Sequence, residues 1–153
     1  MSHQLLLVIL SLLTFNISPN VAFDCPVTAS VPDEVNRAAA VFSGEVIAEE
    51  YQEVKDGEDA GAKVLTVRIK VERWWKGKGT NEVTMYTSVT KFPDGTTRSY
   101  AEDFRFQKGE SYLIYAFGLE DKLRTSECSR TKQLSKADED LRQLGEGRAP
   151  VKE

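Results

Sequence analysis

The chain has 153 residues, 41% of them hydrophobic and 29% charged, with a net charge of −4. That length supports one domain around one core, and the acidic balance argues against a nucleic-acid ligand, which needs a clustered basic face to displace condensed counterions. The sole histidine is His3 and there are two cysteines, so no residue set has the spacing of a metal site, and neither metal nor cofactor is expected.

The first feature is Leu5 to Leu13, an apolar run too short to span a bilayer but suited to the hydrophobic region of a signal peptide. Asn16, Pro19 and Asn20 break the helix, and small residues follow at Val21 and Ala22. Cleavage after Ala22 would remove residues 1–22 and start the mature chain Phe23-Asp24-Cys25-Pro26. Asp24 sits where a lipid-attachment site needs a small residue, and no later stretch is long and apolar enough to cross a membrane. A secreted protein with no membrane anchor after cleavage is expected, extracellular or, in a bacterium, periplasmic.

In an oxidising compartment Cys25 and Cys128 have one intramolecular pairing available. Closing a loop of that size contributes on the order of 4.7 kcal/mol in the chain-entropy picture. A reactive thiol or a metal ligand would need a base or further ligands, and the mature chain has no histidine.

Ser30-Val31-Pro32-Asp33 opens a short helix. Ser30 suits the N-cap, Pro32 the first turn, and Asp33 and Glu34 the positive end of the dipole. Val35, Ala38 and Ala39 give it a small apolar face. A strand follows over Val41 to Ala48, then the charged loop Asp56 to Gly61. That loop lacks the spacing and distal glutamate of a calcium-binding loop and reads as a solvated hairpin tip.

The clearest strand runs from Val64 to Trp74, where Leu65, Val67, Ile69 and Val71 alternate with Thr66, Arg68, Lys70 and Glu72. Trp74 and Trp75 point to opposite faces, so at most one continues the core side; an exposed Trp such as Trp74 would be a ligand anchor, whereas a ring folded over the barrel end is the more frequent arrangement. The basic run Arg68, Lys70, Arg73, Lys76, Lys78 reads as the wet face of this strand and its turn. Val83 and Met85 mark a further strand, Thr97 to Tyr100 a short one, Tyr112 to Phe117 a buried one, and Lys122 to Cys128 an extension of the sheet. Ser135-Lys136-Ala137-Asp138 resembles a capping box opening a helix through Leu144, stopped by Gly145, with a flexible tail at 148–153. The expected fold is mainly β: an antiparallel barrel of five to six strands with a short N-terminal helix and a C-terminal helix.

Several segments in order resemble one family. Ala40-Val41-Phe42-Ser43-Gly44-Glu45-Val46, Val71 to Gly77, Lys108 to Ala116, Leu123 to Thr131 and Ala137 to Leu141 are together similar to the netrin-like, tissue-inhibitor-of-metalloproteinases-like domains of uncharacterised exported proteins. The resemblance covers residues 23–147 and implies an OB-fold barrel flanked by helices, with no particular activity. Related sequences often carry a second cysteine pair; here Thr28 to Pro32 and Tyr100 to Phe106 contain none.

Three functions are weighed. The first is a non-catalytic binding module, monomeric, taking an unidentified protein or oligomeric ligand, with Phe23, Asp24 and Trp74 as the candidate surface. The second is a metalloproteinase inhibitor acting through its mature N-terminus. The third is an enzyme, whose acid–base work would fall to carboxylates or a lysine. The acidic groups Glu49-Glu50, Glu102-Asp103 and Asp138 to Asp140 read as solvated surface, so no catalytic residues are expected.

Overall fold

The structure is a computed structural model that describes Cys25, residues 29–119 and residues 121–151. The expected signal peptide and two candidate residues, Phe23 and Asp24, lie outside the described residues.

Helix α1 spans Val31–Arg37; the Ser30 hydroxyl accepts the Asp33 N–H, and Pro32 occupies the first turn, as the sequence suggests. Among the described residues seven strands follow: β1 (Ala40–Glu53), β2 (Lys63–Lys76), β3 (Glu82–Lys91), β4 (Thr97–Arg98), β5 (Ser111–Leu119), β6 (Lys122–Arg124) and β7 (Lys132–Gln133). A 3-10 turn over Leu134–Lys136 leads into α2, Asp138–Leu144.

Five of these strands close a hydrogen-bonded ring in the order β1-β2-β3-β6-β5, with β5 returning to β1. Four pairings are antiparallel. The fifth, β3 to β6, is parallel and consists of one residue pair, Met85 with Leu123. The all-antiparallel expectation therefore fails, for a reason of parity. An odd number of strands cannot alternate in direction all the way round, so one neighbouring pair must run the same way. Parallel neighbours lack the alternating close pairs of the antiparallel ladder, and here the ladder between them is a single pair.

The alternation read in β2 places Val67, Ile69 and Val71 inside the ring with Phe42, Met85, Tyr112 and Ile114. β5 is apolar without alternation because both its faces are covered. Tyr112 and Ile114 face the ring interior, whereas Leu113 and Tyr115 join Val41, Ala38 and Ala137 in a second cluster beneath α1 and α2. Trp74 and Trp75 divide in the same way, one to each cluster. Gly44 allows β1 to serve two partners, pairing with Val71 and with Tyr112 beside a register shift. A Cβ there would strike the Lys70 carbonyl oxygen and come within 2.8 Å of Ile69 Cγ2.

Cys25 and Cys128 are bonded, their Cα atoms 5.2 Å apart across 103 residues of sequence. The disulfide ties the segment ahead of α1 to the segment after β6.

Three details differ from the sequence reading. Ser135 does not cap α2: it lies in the 3-10 turn, and Ala137 stands at the N-cap without a side-chain hydrogen bond. The tail expected to be flexible is docked as far as Val151, since Arg148 exchanges two 2.8 Å backbone hydrogen bonds with Trp74, and the Val151 N–H donates to the Gly79 carbonyl. Asp140 is not solvated surface; it is 1% exposed.

Candidate binding face

Trp74 is 2% exposed, so it is not an exposed anchor. Two interactions hold it inside: its indole N–H donates to the Thr80 carbonyl at 2.9 Å, and its ring lies 4.9 Å from that of Phe42. Its neighbour Trp75 is half-buried on the other side and donates to the Gly145 carbonyl at the end of α2.

Trp74 nevertheless contributes to a site. Beside the one ladder pair that joins β3 to β6, residues Glu82, Val83 and Thr84 border a cleft of about 350 Å³. Its floor is the ring's own core, Trp74, Val83 and Leu123, and its rim carries Thr84, Tyr86 and Asp121. An apolar floor with a few polar groups at the mouth of a β ring is the usual form of a ligand cleft.

Tyr86 is the hinge of this surface. It lines the seam cleft and also a second one, bounded by the β1–β2 loop at Lys55 and Asp56 and by Lys122 and Arg124 of β6. Its hydroxyl lies 3.4 Å from Gln52 Oε1 on β1. Next to it, the exposed Arg68 guanidinium sits between Glu50 at 3.5 Å and Glu82 at 3.9 Å. The outer face of β1, β2 and β3 is thus a lattice of hydroxyl, amide and paired charge between the β1–β2 loop and the β5–β6 turn. Of the basic run, Arg68, Lys70, Arg73 and Lys78 are exposed. Lys76 instead donates to the Val35 and Asn36 carbonyls, satisfying the end of α1.

Another cluster holds the molecule together. Asp140 Oδ2 accepts from the Tyr115 hydroxyl and Arg130 Nε, both at 2.9 Å, and Oδ1 accepts from Arg130 at 2.7 Å and Lys132 Nζ at 3.0 Å. Burial alone would raise the Asp140 pKa, but the Arg130, Lys132 and Tyr115 hydrogen bonds outweigh it and hold the group at about 2. The Tyr115 hydroxyl is pushed well above the usual phenol range by burial and by the Asp140 carboxylate. Arg130 also donates to the Ala29 carbonyl, and its backbone N–H donates to Glu34. α2, β5, α1 and the segment beside the disulfide therefore meet at the Asp140–Arg130 pair. Perturbed carboxylates often mark reaction centres, but this one is sealed from solvent with its oxygens occupied.

Among the described residues no group of three or more His, Cys, Asp or Glu side chains is placed to hold a metal ion. No helix among them is long and apolar enough to cross a membrane. Asp56 and Asp59 of the acidic loop lie at the β1–β2 hairpin tip, where Asp59 pairs with Arg98 at 2.7 Å. Asp103, expected as wet surface, accepts the Ser88 N–H and hydroxyl and fixes the turn after β4.

The structure thus brings Cys25 and Cys128 together, takes Trp74 inside, and adds Tyr86, Thr84 and Leu123, which the sequence did not single out. The outward Tyr86 between the inward Met85 and the partly buried Thr87 was the available signal. No protein-family model matches the chain, and no curated protein matches its sequence.

Proposed function

We propose that this chain is an exported, non-catalytic binding module with a netrin-like OB fold, whose ligand lies across the outer β2–β3 face and enters the β3–β6 cleft. The ring order and its one parallel pair fit the five-stranded Greek-key barrel of OB folds, whose ligands bind over strands 2 and 3 between flanking loops. The observation that carries the reading is the apolar-floored cleft on that face, beside the single ladder pair between β3 and β6. A disulfide spanning the domain fits an oxidising compartment.

The ligand class is a protein or an oligomer, because the face runs across two clefts that Tyr86 joins, from the seam to the β1–β2 loop. The test is affinity capture with the oxidised domain beside a Thr84→Trp variant of equal melting temperature, in which the indole fills the cleft. Ligands held by the wild type and lost by the variant support the reading. Ligands held equally by both place the binding surface elsewhere.

A further inference from the structure

We infer that the cleft beside the disulfide is a second binding site, for a carboxylate group of a protein partner, held by Arg37 and by Arg124, which also borders the Tyr86 cleft. The cleft measures about 380 Å³, room for one or two residues. Its walls come from α1, from β6 and the hydroxyl-rich segment after it, from Phe117 of β5, and from Cys128.

Two exposed guanidinium groups on different elements line this one cleft in a protein of net charge −4. Arg124 makes no ion pair among the described residues. Arg37 has one, a 3.8 Å approach to Glu34, too long for a hydrogen bond. Among the described residues Glu34 is the only acidic side chain lining the cleft. Its side chain is 4% exposed and its Oε1 is occupied by the Arg130 N–H at 3.1 Å. The balance at the mouth favours an anion.

The hydroxyls narrow the geometry further. Thr125 and Ser129 are engaged with each other, with the Tyr115 carbonyl and with the Ser126 carbonyl. The Ser126 hydroxyl makes no hydrogen bond among the described residues, and it lines the same cleft. Two forked cations and one available hydroxyl match a planar two-oxygen acceptor. Glu34 in the wall disfavours a dianion such as sulfate, and Phe117 with Ala29 offers apolar contact to the carbon that bears the carboxylate. The α-carboxylate ending a polypeptide and the side-chain carboxylate of Asp or Glu share this chemistry.

The experiment is an amide and arginine Nε–H chemical-shift titration of the oxidised domain with four probes: N-acetyl-Ala-Leu with a free carboxylate, the same peptide as its C-terminal amide, N-acetyl-Glu N-methylamide, and sodium sulfate. Saturable shifts at Ser126 and Arg124 with a carboxylate probe, and none with the amide, are expected. The stronger of the two carboxylate probes then identifies terminus or side chain. Arg37→Gln and Arg124→Gln should each weaken binding about fivefold, as for exposed ion pairs. Equal binding of acid and amide peptides, tighter binding of sulfate, or no saturable shift would overturn the inference. The acid–amide comparison uses the unmodified protein and decides the matter even where a variant folds poorly.

Discussion

Asp140→Asn tests the buried carboxylate directly. The substitution preserves volume and removes the charge that Arg130 and Lys132 share, leaving cations that are 14% and 29% exposed without their partner. Removing one member of a buried pair costs about 3 to 5 kcal/mol; because Lys132 can still reach water, the lower end, about 3 kcal/mol, applies. Against a total stability of about 5 to 15 kcal/mol for a domain, that is a large fraction. The pH dependence is the sharper signature. Asp140 has its pKa depressed to about 2 in the folded protein from about 3.9 in an unfolded chain. Its stabilisation is therefore complete above about pH 5 and is lost as pH falls toward 2, a change of about 2 to 3 kcal/mol. Urea unfolding of wild type and variant at pH 7 and pH 2.5 measures both effects. The gap between the two proteins should be wide at pH 7 and close by most of that amount at pH 2.5. A cost below about 1 kcal/mol at pH 7, or a gap that does not change with pH, would refute the reasoning.

Three further outcomes are expected. Cys128→Ser should lower stability by about 2 to 5 kcal/mol, because the bridge closes a loop of 103 residues; thermal unfolding checks this, and an unchanged melting temperature contradicts it. Gly44→Ala should cost more than about 1 kcal/mol and shift β1 amide resonances, since its Cβ meets the Lys70 backbone rather than a yielding side chain; wild-type stability would show that the bulge relaxes freely. Mass spectrometry of the secreted protein should find a start at Phe23, with no stoichiometric inhibition of zinc endopeptidases. In the inhibitors of the resembling family the cysteine amine itself binds zinc, whereas two residues ahead of Cys25 would turn that amine into an amide. A start at Cys25 with inhibition would reverse the conclusion.

Much of the fold was legible because local patterns carried it. The alternation of Val67, Ile69 and Val71 gave β2 its faces, Ser30 and Pro32 gave α1 its start, and the cysteine count gave the bridge. What was missed depends on partners far along the sequence. Adjacent tryptophans must take opposite faces, but only the closed ring decides that Trp74 takes the inside. Asp138, Glu139 and Asp140 form one acidic run in sequence, and Asp140 alone is turned onto Arg130 and Lys132. Arg148 pairs with Trp74 through backbone groups that nearly every residue possesses, so no side-chain signal announces it. The cleft was equally hidden, because its lining comes from residues as far apart in sequence as Ala39, Trp74, Thr84 and Leu123.

That single Met85–Leu123 ladder pair also bears on how the molecule opens. Every other junction of the ring is joined by several consecutive pairs, so the first partial unfolding that separates strands should run along β3 and β6, and amide hydrogen exchange should be fastest there among the ring strands. A ligand seated in the seam would bridge the two strands and suppress that opening. Its binding free energy would then appear as slower exchange at Leu123 and Met85 and as greater resistance to proteolysis of β6, in proportion to its occupancy.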